Sequence, residues 1–82
     1  MYNIVFSPKA RKQLQKLETD VQIRICNALD KIKVRPEDYL TQMVDDPSFK
    51  LRVGDYRVLI DLNHTKSQIE VIKVGHRKNI YK

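Results

Sequence analysis

The stretch KLRVGDYRVLIDL, Lys50 to Leu62, decides the fold. Apolar and polar residues alternate on both sides of Gly54-Asp55, and a two-residue glycine-containing loop between alternating runs signals a β-hairpin. With Gly54 and Asp55 as the loop, Val53 faces Tyr56, Arg52 faces Arg57 and Leu51 faces Val58. One face then carries Leu51, Val53, Tyr56, Val58, Ile60 and Leu62, an apolar surface that must be covered. The other carries Lys50, Arg52 and Arg57, with Asp61 further along. A slip of one residue would turn the apolar set outward, so the register is strongly specified. That register sets two arginines opposite one another, which costs stability. Solvent screens an exposed pair of this kind. A solvated basic face is therefore the plain reading, and a phosphate-binding surface the sharper one.

The rest of the chain supplies the cover. Tyr2 to Phe6 is short, β-branched and aromatic, and reads as a strand. Ser7-Pro8 then forms a helix start, because proline at the first helical position lacks only an N–H that has no partner there. Ala10, Leu14 and Leu17 predict a helix over about 8–18. Thr19-x-x-Gln22 has the capping-box pattern and starts a second helix. The apolar stripe of that helix is Val21, Ile25, Ala28, Leu29 and Ile32, with Cys26 at the core edge. Lys31, Lys33 and Arg35 favour its C-terminal dipole and Pro36 ends it. Residues 36–48 read as a connector tethered by Tyr39, Leu40 and Met43. After the hairpin, a turn over 63–67 leads to a last strand over 68–74. Either Ile69, Val71 and Lys73 or Glu70, Ile72 and Val74 can face the core, so parity leaves the facing of His76 and Arg77 open. The expectation is one α+β domain over 1–82. It has an N-terminal strand, a helical hairpin and a three-stranded antiparallel meander, in one sheet with helices on one face.

Composition narrows the function classes. The chain has 82 residues, 16 Lys and Arg against 10 Asp and Glu, and a net charge of +6. A domain of this size buries only about 60–65% of its unfolded surface, which argues against an enclosed large cofactor. One cysteine excludes an internal disulfide and a cysteine-based zinc site, and no metal or cofactor is expected. No apolar run reaches a membrane span and no signal-peptide pattern opens the chain, so a cytoplasmic protein without a membrane partner is expected. Residues 1–49 hold eight basic and seven acidic side chains, whereas residues 50–82 hold eight basic and three acidic. The excess charge is thus local, as an anion site requires.

LRVGDYRVLI (Leu51 to Ile60) followed by VGHRKNIYK (Val74 to Lys82) resembles the signature of the RelE/ParE superfamily of toxins from type II toxin–antitoxin systems. The resemblance covers essentially the whole chain and is nearer the RelE-like branch at the positions that carry chemistry. It implies a ribosome-dependent endonuclease that cuts messenger RNA in the A site, the 2′-hydroxyl attacking the adjacent phosphate. On it, Lys50, Arg57, Arg77 and Tyr81 match catalytic positions. Arg52, His76, Lys78 and Lys73 are the further RNA- or phosphate-binding candidates. Two departures stand out. Ser48 occupies the place of a second lysine before Lys50, and the tail between Arg77 and Tyr81 is shorter than in some RelE proteins. The implied partners are a cognate antitoxin, the ribosome and messenger RNA.

The chemistry is coherent on its own terms. Phosphoryl transfer needs charge neutralisation, which Arg57 and Arg77 can supply. It also needs a base for the 2′-hydroxyl, for which Lys50 or Tyr81 is the candidate, and an acid for the leaving oxygen. His76 has the intrinsic chemistry for proton transfer, but reads more simply as a strand-end histidine. His64, Glu37 and Glu70 have no support as catalysts. The alternatives are a ParE-like inhibitor of DNA gyrase without enzymatic activity, and a catalytically silent module that binds nucleic acid or antitoxin.

Overall fold

Alternation, helical spacing and turn chemistry place the elements close to where the sequence puts them. The computed structural model describes residues 1–81, so Lys82, the last residue of the quoted motif, lies outside the described residues. The order is β1 (Asn3–Phe6), α1 (Pro8–Gln15), α2 (Thr19–Lys31), a 3-10 turn (Pro36–Asp38), β2 (Thr41–Gln42), β3 (Phe49–Val53), β4 (Tyr56–Asn63) and β5 (Gln68–His76). The strands form one sheet in the order β1-β5-β4-β3-β2, and β1 runs parallel to β5. The α+β architecture with a helical hairpin and an antiparallel meander is as expected. No helix among the described residues is long and apolar enough to cross a membrane.

The hairpin register is the one read from the sequence: Val53 pairs with Tyr56, Arg52 with Arg57 and Leu51 with Val58. Gly54 has φ +56°, a left-handed conformation that glycine adopts without strain. Leu51, Val53, Val58 and Ile60 are buried in one cluster with Ala10, Val21, Ile25 and Leu29 from the two helices and Ile32 just after α2. Burial of that shared apolar face is the main favourable term holding helices to sheet.

A β-bulge explains why the last strand resisted a parity reading. Lys73 pairs with Leu59 and Val71 with Ile60, which leaves Ile72 as an extra residue. Ile69 and Val71 face the core before the bulge, and Val74 faces it afterwards. Both apolar sets are therefore used. Beyond Val71, where β1 stops pairing, α1 covers the edge of β5. The Ser7 hydroxyl donates to the carbonyl of Ile72 (3.0 Å) and Gln13 Oε1 accepts the N–H of Val74 (2.8 Å). An exposed strand edge is thereby closed to other chains.

Four expectations are corrected. The capping box does not form: Glu18 is the N-cap of α2 and makes no side-chain cap bond. Gln22 instead donates to the carbonyls of Leu17 (2.8 Å) and Gln15 (3.4 Å), closing the turn between the helices. Helix α2 ends at Lys31, short of Pro36: the N–H groups of Ile32 and Lys33 turn to the carbonyls of Leu29 and Asp30, and the Lys33 carbonyl accepts the N–H of Tyr2 at 2.9 Å. Cys26 is exposed, since it lies about 100° round the helix from Ile25, whose side of α2 is buried. The connector is not wholly irregular: Thr41 and Gln42 pair with Lys50 and Phe49 and form the outer strand.

Candidate functional site

The sheet face away from the helices is built in rows set by the register. Arg52, Arg57 and Gly75 lie side by side across β3, β4 and β5. The next row is Thr41, Lys50, Leu59 and Lys73. Adjacent strands are about 4.8 Å apart, so each row gathers its side chains within a short span. Asp61 follows, paired with Glu70, and its Oδ1 accepts the Ser48 hydroxyl at 3.0 Å. Acidic groups border the basic rows: Asp61 and Glu70 lie just beyond Leu59 and Lys73, and Asp45 and Asp46 share a recess with Lys73.

Lys50, Arg52 and Arg57 wall a recess of about 310 Å³, together with Tyr39 and Thr41. Arg57 Nη1 donates to the carbonyls of Gly54 (2.8 Å) and Tyr56 (2.9 Å), so its guanidinium is held by the hairpin turn. Arg77 reaches the same turn. Its backbone N–H donates to the Asp55 carbonyl at 2.8 Å, and its Nε is 3.7 Å from Asp55 Oδ1. Both side chains of that ion pair are more than half exposed, so it orients Arg77 more than it stabilises the fold.

The C-terminal segment folds back onto the open face through a residue the sequence did not single out. Ile80 is 2% exposed, yet lies outside the core cluster under the helices. It packs over Gly75, where an added Cβ would come within 3.1 Å of Ile80 Cδ1. The N–H groups of Asn79 and Ile80 donate to the His76 carbonyl at 2.9 Å, and that of Lys78 to His76 Nδ1 at 3.1 Å. Tyr81, about half exposed, thereby lines a second recess with Asp45, Asp46, Leu59, Lys73 and Ile80, so two carboxylates stand beside Lys73 there. Leu59 separates Lys73 on this side from Lys50 on the other.

The candidates therefore divide. Lys50, Arg52, Arg57, Lys73 and Tyr81 share the open face, with Arg77 at its hairpin end. His76 does not join them. It pairs with Tyr56, and the two rings meet edge to face at 5.4 Å on the helix side of the sheet. Lys78 sits exposed in the C-terminal turn. His64 belongs to the other end of the molecule, where Nδ1 is 2.7 Å from the Tyr2 hydroxyl. Tyr39, Thr41 and Asp55 adjoin the candidate residues and were not singled out as candidates from the sequence. A two-residue strand has no periodicity to detect, and the partner of Arg77 is visible only once the chain has folded. Among the described residues, no group of three His, Cys, Asp or Glu side chains gathers to hold a metal ion.

Comparisons with known proteins agree with this architecture. Comparison with curated protein sequences finds no match. The structure of the intact RelBE toxin–antitoxin complex from E. coli contains a chain that is 28% identical, with a TM-score of 0.72, covering 93% of this chain and 96% of that one. The RelBE2 toxin–antitoxin complex from Mycobacterium tuberculosis contains one of the same fold at 23% identity, with a TM-score of 0.84 and coverage of 93% and 98%. The RelE–RelB complex from Pyrococcus horikoshii gives 24% identity, a TM-score of 0.75 and coverage of 95% and 97%. The family described as ParE toxin of type II toxin–antitoxin system, parDE, matches residues 4–81. The chain belongs to that toxin family, within the RelE/ParE superfamily.

Proposed function

We propose that this toxin is a ribosome-dependent messenger RNA endonuclease cutting in the A site. The observation that carries the reading is the gathering of Lys50, Arg52 and Arg57 around one recess, with Lys73 and Tyr81 beside it on the same face. A phosphodiester bound there meets several cations at once, and charge-assisted contacts to phosphate are strong. In the proposed step the 2′-hydroxyl oxygen bonds to phosphorus as the P–O5′ bond breaks. This leaves a 2′,3′-cyclic phosphate and a 5′-hydroxyl. Lys50 or Tyr81 takes the 2′-hydroxyl proton, and a proton passes to the leaving O5′. Arg57 and Arg77 neutralise the charge that develops on the phosphate oxygens. His76, on the other side of the sheet, has no part in this step. On this reading the ribosome supplies the positioning of the message.

The same reading implies a cytoplasmic site of action and a cognate antitoxin. The structurally similar RelBE proteins are toxin–antitoxin complexes. An acidic antitoxin segment would compete with RNA for the basic rows. Primer extension on message with ribosomes present should show A-site cuts that vanish in Arg77→Ala. Intact message with folded, antitoxin-free protein would refute the proposal. The ParE description of the matching family favours a second reading, inhibition of DNA gyrase. A supercoiling assay separates the two, because unaffected gyrase eliminates it.

A further inference from the structure

We infer that the recess beside β2 is a nucleotide subsite for unpaired RNA, in which the Tyr39 ring stacks on one base while Arg52, Arg57 and Lys50 hold the neighbouring phosphate. This rests on the RNA reading above and extends it to a residue that nothing else assigns. Tyr39 is 47% exposed, and it shares the recess with Thr41 and the three cations. The ring is placed by structure on both sides of it. Its N–H donates to the carbonyl of Pro36 at 3.1 Å, and Pro36 is buried. Leu40 then packs against the core, and Thr41 pairs with Lys50. An aromatic ring whose backbone is fixed in this way loses little entropy on binding.

The surroundings match a nucleotide rather than a free ion. The recess, about 310 Å³, is at the small end of ligand sites, of nucleotide size. A bare phosphate has no use for an aromatic wall, whereas a base stacked on a ring gains about 1–3 kcal/mol whichever base it is. Lys31 Nζ lies over one face of the ring, 5.8 Å from the centroid, so the base takes the opposite face. Arg52 and Arg57 face each other across the strand pair, a like-charge juxtaposition that one bound phosphate relieves. A base inside a duplex is already stacked and cannot reach Tyr39, so the substrate class is single-stranded.

The experiment measures binding of a short single-stranded RNA, 2′-O-methylated so that it cannot be cut, over a range of salt concentrations. Tyr39→Ala should weaken binding about tenfold or more without changing the salt slope. Tyr39→Phe should retain affinity and Tyr39→Leu should not. Arg57→Ala should weaken binding and flatten the slope by about 0.7. An abasic oligonucleotide should bind wild type and Tyr39→Ala alike. If Tyr39→Ala or Tyr39→Leu binds as wild type while Arg57→Ala is impaired, the stacking role is overturned and the RNA reading stands. If wild type does not bind the RNA at all, the subsite falls, while the ribosome-dependent reading stands or falls by primer extension with ribosomes present.

Discussion

Replacing Arg52 by glutamate tests whether the basic face is held against the interests of stability. Arg52 and Arg57 are directly paired across β3 and β4, about 5 Å apart at the backbone. Opposite charges in such positions contribute about 0.2–1 kcal/mol, and like charges destabilise by similar amounts. The substitution removes a repulsion and adds an attraction. The tie of Arg57 to the carbonyls of Gly54 and Tyr56 limits both, which brings the expected gain to about 1 kcal/mol. For a domain of this size that is a rise in Tm of about 4–8 °C. Arg52→Gln should give about half of it. The Debye length is about 8 Å at physiological salt and about 3 Å at 1 M, so the gain should shrink in 1 M salt. Thermal melts of the three proteins at low and high salt decide the matter, with RNA affinity measured alongside. A glutamate variant no more stable than wild type at low salt would refute the reasoning, as would a gain indifferent to salt.

Other outcomes follow from individual contacts. Ile80→Ala removes a side chain 2% exposed and should cost about 2–4 kcal/mol in urea unfolding, while Ile23→Ala, at 53% exposure, should cost under about 0.5 kcal/mol. Equal effects would show that the C-terminal segment is not part of the cooperative fold. Ser7→Ala removes the acceptor for the Ala10 N–H and the donor to Ile72, and should lower stability by about 1–2 kcal/mol. An unchanged Tm would contradict both bonds. The N–H of Ser48 donates to Asp46 and holds its carboxyl below the usual carboxylate range. Because the folded value is the lower one, the stabilisation is present above the ordinary carboxylate pKa and is lost as pH falls through the folded value. An NMR titration of Asp46 with its midpoint at or above the ordinary value would exclude this.

The legibility of the chain differs from element to element for physical reasons. The hairpin was readable because a period of two admits only one register that buries Leu51, Val53, Val58 and Ile60. Helix α1 was readable from Ala10, Leu14 and Leu17 and its start from Ser7-Pro8, and α2 from Val21, Ile25 and Leu29, although the C-terminal ends of both and the cap of α2 were not. Helix ends depend on which neighbours satisfy the terminal groups, and Gln22 found the carbonyls of the preceding turn instead of the N-cap. In β5 the bulge at Ile72 interrupts the period, so a strand with two apolar sets looks ambiguous until its partners are known.

Sequence alone determined the α+β class, the hairpin register and the presence of Lys50, Arg52 and Arg57 on one face. All three follow from local spacing combined with the need to bury apolar surface. Only the tertiary structure decided which cations meet. It set Lys73 beside Leu59, brought Arg77 to Asp55, and put Tyr39 and Thr41 on the wall of the recess. It also sent His76 to the other side of the sheet and laid Ile80 over Gly75, which carries Tyr81 onto the basic face. Each of these joins residues distant in the chain through strand pairing, a bulge or a returning tail, and such contacts leave no periodic trace in the sequence.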